Sequence, residues 1–144
     1  MRCPCSDCAA FCRTKSATPW LGQAYVQKGL HAQAISELQN ATSLSGDSPL
    51  YMAQVGVAYA AAGKNAEALS VIDQLQKVAR QSYVSSYGLA QIYAALGDKQ
   101  HAMKWLQSAY DERAVWMEYL KVDPVLDSLR SQPRFQDLVR QMGL

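Results

Sequence analysis

The sequence predicts an all-α fold, an array of three helix hairpins closed by C-terminal capping helices. Two observations carry that prediction. Residues 49–82 form a unit of 34 residues holding two apolar-periodic runs separated by the short break AAGKNAE, and shifts of 34 in either direction overlay it on 15–48 and 83–116. The same residue types then recur at the same places. Leu21, Val55 and Leu89 match, as do the small residues Gly22, Gly56 and Ala90. Tyr25, Tyr59 and Tyr93 are identical, and so are Gly29, Gly63 and Gly97, and Ala34, Ala68 and Ala102; Leu38, Ile72 and Leu106 close the set. A period held without insertion over three units marks a helical repeat array.

The elements follow in order. The spacing divides the chain into a cysteine-rich leader (1–17), expected to be poorly ordered, three repeats (18–116) and capping helices (117–144). In the first repeat, Thr18 is placed to cap a short helix with Pro19 at its first position. Gly29 supplies the left-handed turn that ends it. A second helix over 31–43 carries Ala34, Ile35, Leu38 and Ala41 on one face. In the second repeat, Ser48 caps a helix over 49–62 that is apolar nearly all round, as expected of a helix with neighbours on both sides. A helix over 65–78 then turns Ala68, Leu69, Ile72 and Leu75 inward. The third repeat reads as helices over 82–95 and 98–110, with Met103, Trp105, Leu106 and Ala109 toward the core. Ala34, Ala68 and Ala102 fall where the two helices of a hairpin cross closest, and Gly22, Gly56 and Ala90 do the same on the first helices. Beyond the repeats, AVWMEYLKV predicts a short capping helix packing Trp116 and Leu120, and Asp123–Pro124 begins another with Val125, Leu126 and Leu129. Pro133 begins the last, with Phe135, Leu138, Val139 and Met142 at i, i+3, i+4 and i+7, and Gly143 stops it.

Composition narrows the function classes. The formal net charge of +2 is spread evenly, with three basic and one acidic residue in 1–20, six and five in 21–110, and five and six in 111–144. No basic face supports phosphate-driven nucleic-acid binding. No apolar run approaches the roughly 18 residues needed to span a bilayer. The first 20 residues lack the apolar core of a secretory signal. The expectation is a cytoplasmic chain with neither nucleic-acid nor membrane partners.

The leader holds all the cysteines, Cys3, Cys5, Cys8 and Cys12. Thiolates are good ligands for zinc and iron–sulfur clusters, so these four are the candidate metal ligands. All four fall within ten residues, however, with no second element to supply the far side of a site. A leader without a role of its own is the simplest account, a metal- or redox-linked module the alternative. No metal or cofactor is assigned.

The runs LGQAYVQKG, VGVAYAAAG and LAQIYAALG, each followed five residues after its glycine by Ala34, Ala68 or Ala102, resemble the tetratricopeptide repeat (TPR) family over about 18–116. The Trp usual near the start of the first helix is absent, and the Pro that often ends a unit is shifted or missing. The resemblance implies a right-handed superhelical array that binds a peptide or partner domain in a concave groove lined by the first helix of each hairpin. It places Gln23, Val26, Gln27, Ala53, Val57, Ala61, Tyr87, Gln91 and Ala95 on that groove. The Lys, Asn and Arg that hold a C-terminal carboxylate in chaperone-binding members are here Gln, Ala and Val, which argues against that partner class. The tail, YLKVDPVLDSLRSQPRFQDLVRQMGL, resembles the C-terminal end of TPR regions in multidomain bacterial regulators and kinases, which implies such a module without its effector domain.

Catalysis finds no footing. His31 and His101 begin second helices of different repeats, no serine sits in a nucleophile elbow, and no glycine-rich phosphate loop exists. Asp111, Glu112, Glu118, Asp123 and Asp127 alternate with Arg113, Lys121 and Arg130 and read as a solvated, ion-paired surface. Tyr25, Tyr59 and Tyr93, with Trp20, Trp105 and Trp116, read as packing residues. The function expected is an interaction scaffold. The structural alternative is self-association through the truncated first repeat, where Trp20 and Leu21 would leave an apolar edge.

Overall fold

The computed structural model describes residues 24–143. The chain is helical at 24–27 and then runs through α1 (His31–Leu44), α2 (Pro49–Ala61), α3 (Asn65–Val78), α4 (Ser86–Leu96) and α5 (Lys99–Asp111). Two 3-10 helices, η1 (Val115–Tyr119) and η2 (Pro124–Leu129), lead to the last helix, α6 (Pro133–Gln141). Helices α2 and α3 form one hairpin and α4 and α5 the next. The first helices of the two hairpins, α2 and α4, also pack side by side. That second contact makes the molecule an array rather than a string of hairpins.

The hairpin turns follow from their glycines. Gly97 ends α4 in the left-handed region, at φ +85, and its N–H bonds back to the Ala94 carbonyl. A residue with a Cβ reaches that conformation only at a steric cost. Asp98 then caps α5. Its carboxylate accepts from the His101 backbone N–H (3.2 Å) and meets the His101 Nδ1 at 2.6 Å. The His101 ring also stacks on Tyr93, centroids 5.3 Å apart.

Among the described residues, the core is a chain of three clusters handed from repeat to repeat. Ala34 and Leu38 meet Val55 and Ala58 in the first, and Ala53, Val57, Ala68, Ile72 and Leu75 meet Leu89 and Ile92 in the second. The third joins Ala90, Ala102, Leu106 and Ala109 to Met117, Leu120, Leu126, Leu129, Phe135 and Leu138. Ala34, Ala68 and Ala102 are completely buried, as the close crossing of their helices requires. At Gly56 an added Cβ would lie 2.7 Å from Ile92 Cδ1 and 3.1 Å from Val71 Cγ1.

Several expectations need correcting. Leu69 does not face inward but is 53 % exposed. The inner stripe of α3 is Ala68, Val71, Ile72 and Leu75, the i, i+3, i+4, i+7 face, and Leu69 lies about 100° off it. The first helix of the third repeat begins at Ser86, four residues later than expected. Tyr83 occupies the place of Pro49, so no proline starts the helix there. Ser48 stands at the N-cap of α2, but its hydroxyl makes no capping bond, and Pro49 at the first position sets the start. The two segments after α5 are 3-10 rather than α-helices, each too short to develop an i to i+4 ladder. Thr18, Pro19, Trp20 and Leu21, and the cysteines Cys3, Cys5, Cys8 and Cys12, lie outside the described residues.

Candidate functional site

The C-terminal turns fold back against α4 and close one side of the surface formed by α2 and α4. Between them lies a cavity of about 300 Å³. The first half of α2 (Pro49, Leu50, Ala53, Gln54) lines one side, Val84, Ser85, Tyr87, Gly88 and Gln91 line another, and the exposed Tyr83 stands at the rim. Trp116, Tyr119, Val122, Asp123 and Pro124 complete the far wall. At the bottom α2 and α4 nearly touch, since a Cβ on Gly88 would stand 2.9 Å from that of Ala53. Any larger residue at 88 would push the first helices apart and change the shape of the cavity.

A buried hydrogen-bonded chain holds the far wall in place. Asp123 is only 6 % exposed. Its Oδ2 accepts from the Tyr87 hydroxyl at 2.7 Å and from Gln91 Nε2 at 2.6 Å. Its Oδ1 accepts from the Val125 N–H at 3.0 Å, which caps η2. Gln91 is thereby oriented, and its Oε1 accepts from Gln54 Nε2 at 3.2 Å. Burial, together with the charge and hydrogen bond of Asp123, pushes the Tyr87 phenol far above its ordinary pKa, so it stays a donor to the carboxylate. Beside this chain, Ser86 Oγ donates to Glu112 at 2.6 Å, tying the start of α4 to the end of α5. The hydroxyl of Ser85, another lining residue, is buried without a hydrogen-bond partner.

Three of the expected groove residues, Ala53, Tyr87 and Gln91, meet at this cavity. Others do not belong to it. Val57 is 2 % exposed and sits in the middle cluster, while Ala95 is half-buried against the same cluster. Ala61 is exposed at the end of α2, Gln27 is exposed, and Val26 packs on the first cluster. Gln23 lies outside the described residues. An acidic residue that was not among those expected, Asp123, also lines this surface. The expectation that Asp123 shares a solvated acidic cluster is overturned: donors delivered by α4 compensate its desolvation. Asp127 does stay at the surface, paired with Arg130 at 2.9 Å. Trp116, Tyr119 and Asp123 were absent from the expected groove. They lie at or beyond the end of the third repeat, outside the first helices from which the groove was read, and the η2 turn that follows them packs on α4.

Stacked helix hairpins with a concavity on their first helices define a helical-repeat protein. Tetratricopeptide-repeat family models match residues 54–115 and residues 20–48. The chain belongs to the tetratricopeptide repeat family, whose repeats are in general protein–protein interaction modules. Comparison with curated proteins and with solved structures found no match. Among the described residues, no helix is long and apolar enough to cross a membrane, and no cluster of His, Cys, Asp and Glu could hold a metal ion.

Proposed function

We propose that this chain is a scaffold or adaptor that acts by binding rather than catalysis, receiving a segment of a partner protein in the cavity between α2, α4 and the C-terminal turns. The observation that carries this is the conjunction of a concave, largely apolar cavity with a polar network in its lining that joins Tyr87, Gln91, Gln54 and Asp123. Binding sites of this kind combine apolar walls with a few pre-oriented polar groups. Pre-orientation lowers the entropy lost when a ligand is ordered. The exposed side chains of Tyr83 and Val122 at the rim extend the apolar surface outward, as a docking surface needs.

A photo-cross-linking residue at Tyr83, 69 % exposed on the cavity rim, tests this in lysate of the native host. The control carries the same residue at Leu69, which is exposed on α3 and lines no part of the cavity. A partner captured from position 83 and not from 69 is the expected result. The same partners from both positions, or none from 83, would remove the cavity as the docking site.

A further inference from the structure

We propose that the cavity is occupied in cis by the chain's own leader, with the segment 8–13 (CAAFCR) across it and Phe11 as the anchor. This rests on the cavity as the docking site, proposed above, and adds its regulation: a partner segment enters by displacing the leader.

The far wall is already engaged. Trp116, Tyr119 and Asp123 each have an interaction partner beyond the contacts described above. An incoming ligand therefore meets neither a bare carboxylate nor open rings there, and the occupant that fits is one that travels with the molecule. The leader is tethered within reach. Tyr25 and Val26 pack on the cluster that holds Val55 and Ala58 of α2. Pro49, on the cavity wall, lies six residues from Val55, about 9 Å along the helix. Phe11 precedes Tyr25 by fourteen residues, which span about 20 Å as a helix and about 45 Å when extended. Either covers that distance.

One stretch of the leader suits the walls. Residues 8–12 are its longest run of apolar side chains, and Phe11 is the only aromatic residue in 1–17. The cavity offers it Pro49, Leu50, Ala53 and Val84 as apolar walls. The size agrees: about 300 Å³ is roughly twice the 150 Å³ cavity that holds a benzene ring, which leaves room for a ring and the backbone carrying it. Charge agrees in sign. The leader carries Arg2, Arg13 and Lys15 against Asp7, and among the described lining residues only Asp123 has a formal charge. Tyr87, Gln91 and the Val125 N–H already donate to Asp123, so its charge steers the leader rather than holding it. A short tether supplies an effective concentration on the order of 1 mM. With an intrinsic Kd of about 0.1 mM for the anchor, the leader fills the cavity about 90 % of the time, and a partner binds about tenfold more weakly than to an open cavity.

The test uses the purified full chain with the photo-cross-linking residue at position 83, and mass spectrometry to map the product. The expected result is an intramolecular cross-link to residues 8–13, independent of protein concentration, absent from position 69 and lost in Phe11→Ser. In lysate, Phe11→Ser should raise partner capture from position 83 by about tenfold, the factor by which the leader weakens binding. Equal cross-linking from 83 and 69, products at 18–23 in place of 8–13, or no intramolecular product would overturn the leader as occupant. Partner capture that persists from 83 in any of those cases leaves the groove standing. Products of doubled mass would give the cavity to a second copy of the chain and overturn occupancy in cis. Cross-linking to 8–13 with partner capture unchanged by Phe11→Ser would overturn the competition. No partner captured from 83 in either chain would remove partner docking, and its regulation with it.

Discussion

Gly56 is the point at which the array can be tested most sharply, because two effects of known size oppose each other there. It lies inside α2, and replacing glycine by alanine in a helix interior ordinarily stabilises by about 1 kcal/mol. Here the new methyl would stand 2.7 Å from Ile92 Cδ1, 3.1 Å from Ile92 Cγ1 and 3.1 Å from Val71 Cγ1. Ile92 is completely buried on α4, and Val71 is β-branched and buried on α3, so neither can swing into solvent. Overpacking a well-filled core costs about 1–3 kcal/mol. Taking about 2 kcal/mol for the clash against about 1 kcal/mol of helix propensity, Gly56→Ala should destabilise by about 1 kcal/mol. In a chain of this length that lowers the Tm by about 3 °C. Urea unfolding followed by circular dichroism measures it directly. The decisive comparison is a double-mutant cycle with Ile92→Val, which removes the Cδ1 methyl. In that background Gly56→Ala should become neutral or stabilising, a coupling of about 1–2 kcal/mol. A stabilising Gly56→Ala in the otherwise unchanged chain, or an equal effect in both backgrounds, would refute the close packing of α2 against α4 on which the cavity depends.

Three further outcomes follow from other contacts. Ala68→Leu should cost about 1–3 kcal/mol in a chemical melt, because Ala68 is completely buried between α2 and α3; unchanged stability would mean the repeat register is wrong. The Tyr87 phenol is pushed above its unfolded value of about 10, so the stability it contributes is fully present below that pH and is lost as pH rises above it. Alkaline unfolding should therefore steepen above about pH 10 and flatten in Tyr87→Phe, and identical pH profiles for the two chains would count against the buried Tyr87–Asp123 bond. Backbone and side-chain bonds from His101 hold the Asp98 carboxylate below its ordinary pKa. Its contribution is present above the unfolded value of about 3.9 and lost as pH falls through the lower folded one. Asp98→Ala should cost about 1 kcal/mol at neutral pH, the usual worth of an N-cap, and the difference should vanish in strong acid.

How much of the site was legible depended on which residues lay inside the period. Ala53, Tyr87 and Gln91 could be placed from the first-helix register alone. Val57 shares that register, yet it turns into the middle cluster instead of lining the cavity. Periodicity assigns a residue to a face, whereas the crossing of α2 with α4 decides how far that face is covered. Leu69 fails for the opposite reason: as an apolar residue next to Ala68 it looks internal, but its direction from the axis points away from α2.

The repeat of 34 residues determined the helix hairpins, their glycine turns and the small residues at their crossings, because each depends on local conformation and side-chain size. The C-terminal segment carries no such period, and there the tertiary structure decided which residues line the cavity. Asp123 stands in a stretch of alternating charge that reads as solvated surface. It is buried because Tyr87 and Gln91, 36 and 32 residues earlier, arrive on α4 with donors for its carboxylate. A charge can leave water only where such donors are in place, and no local pattern announces partners that distant.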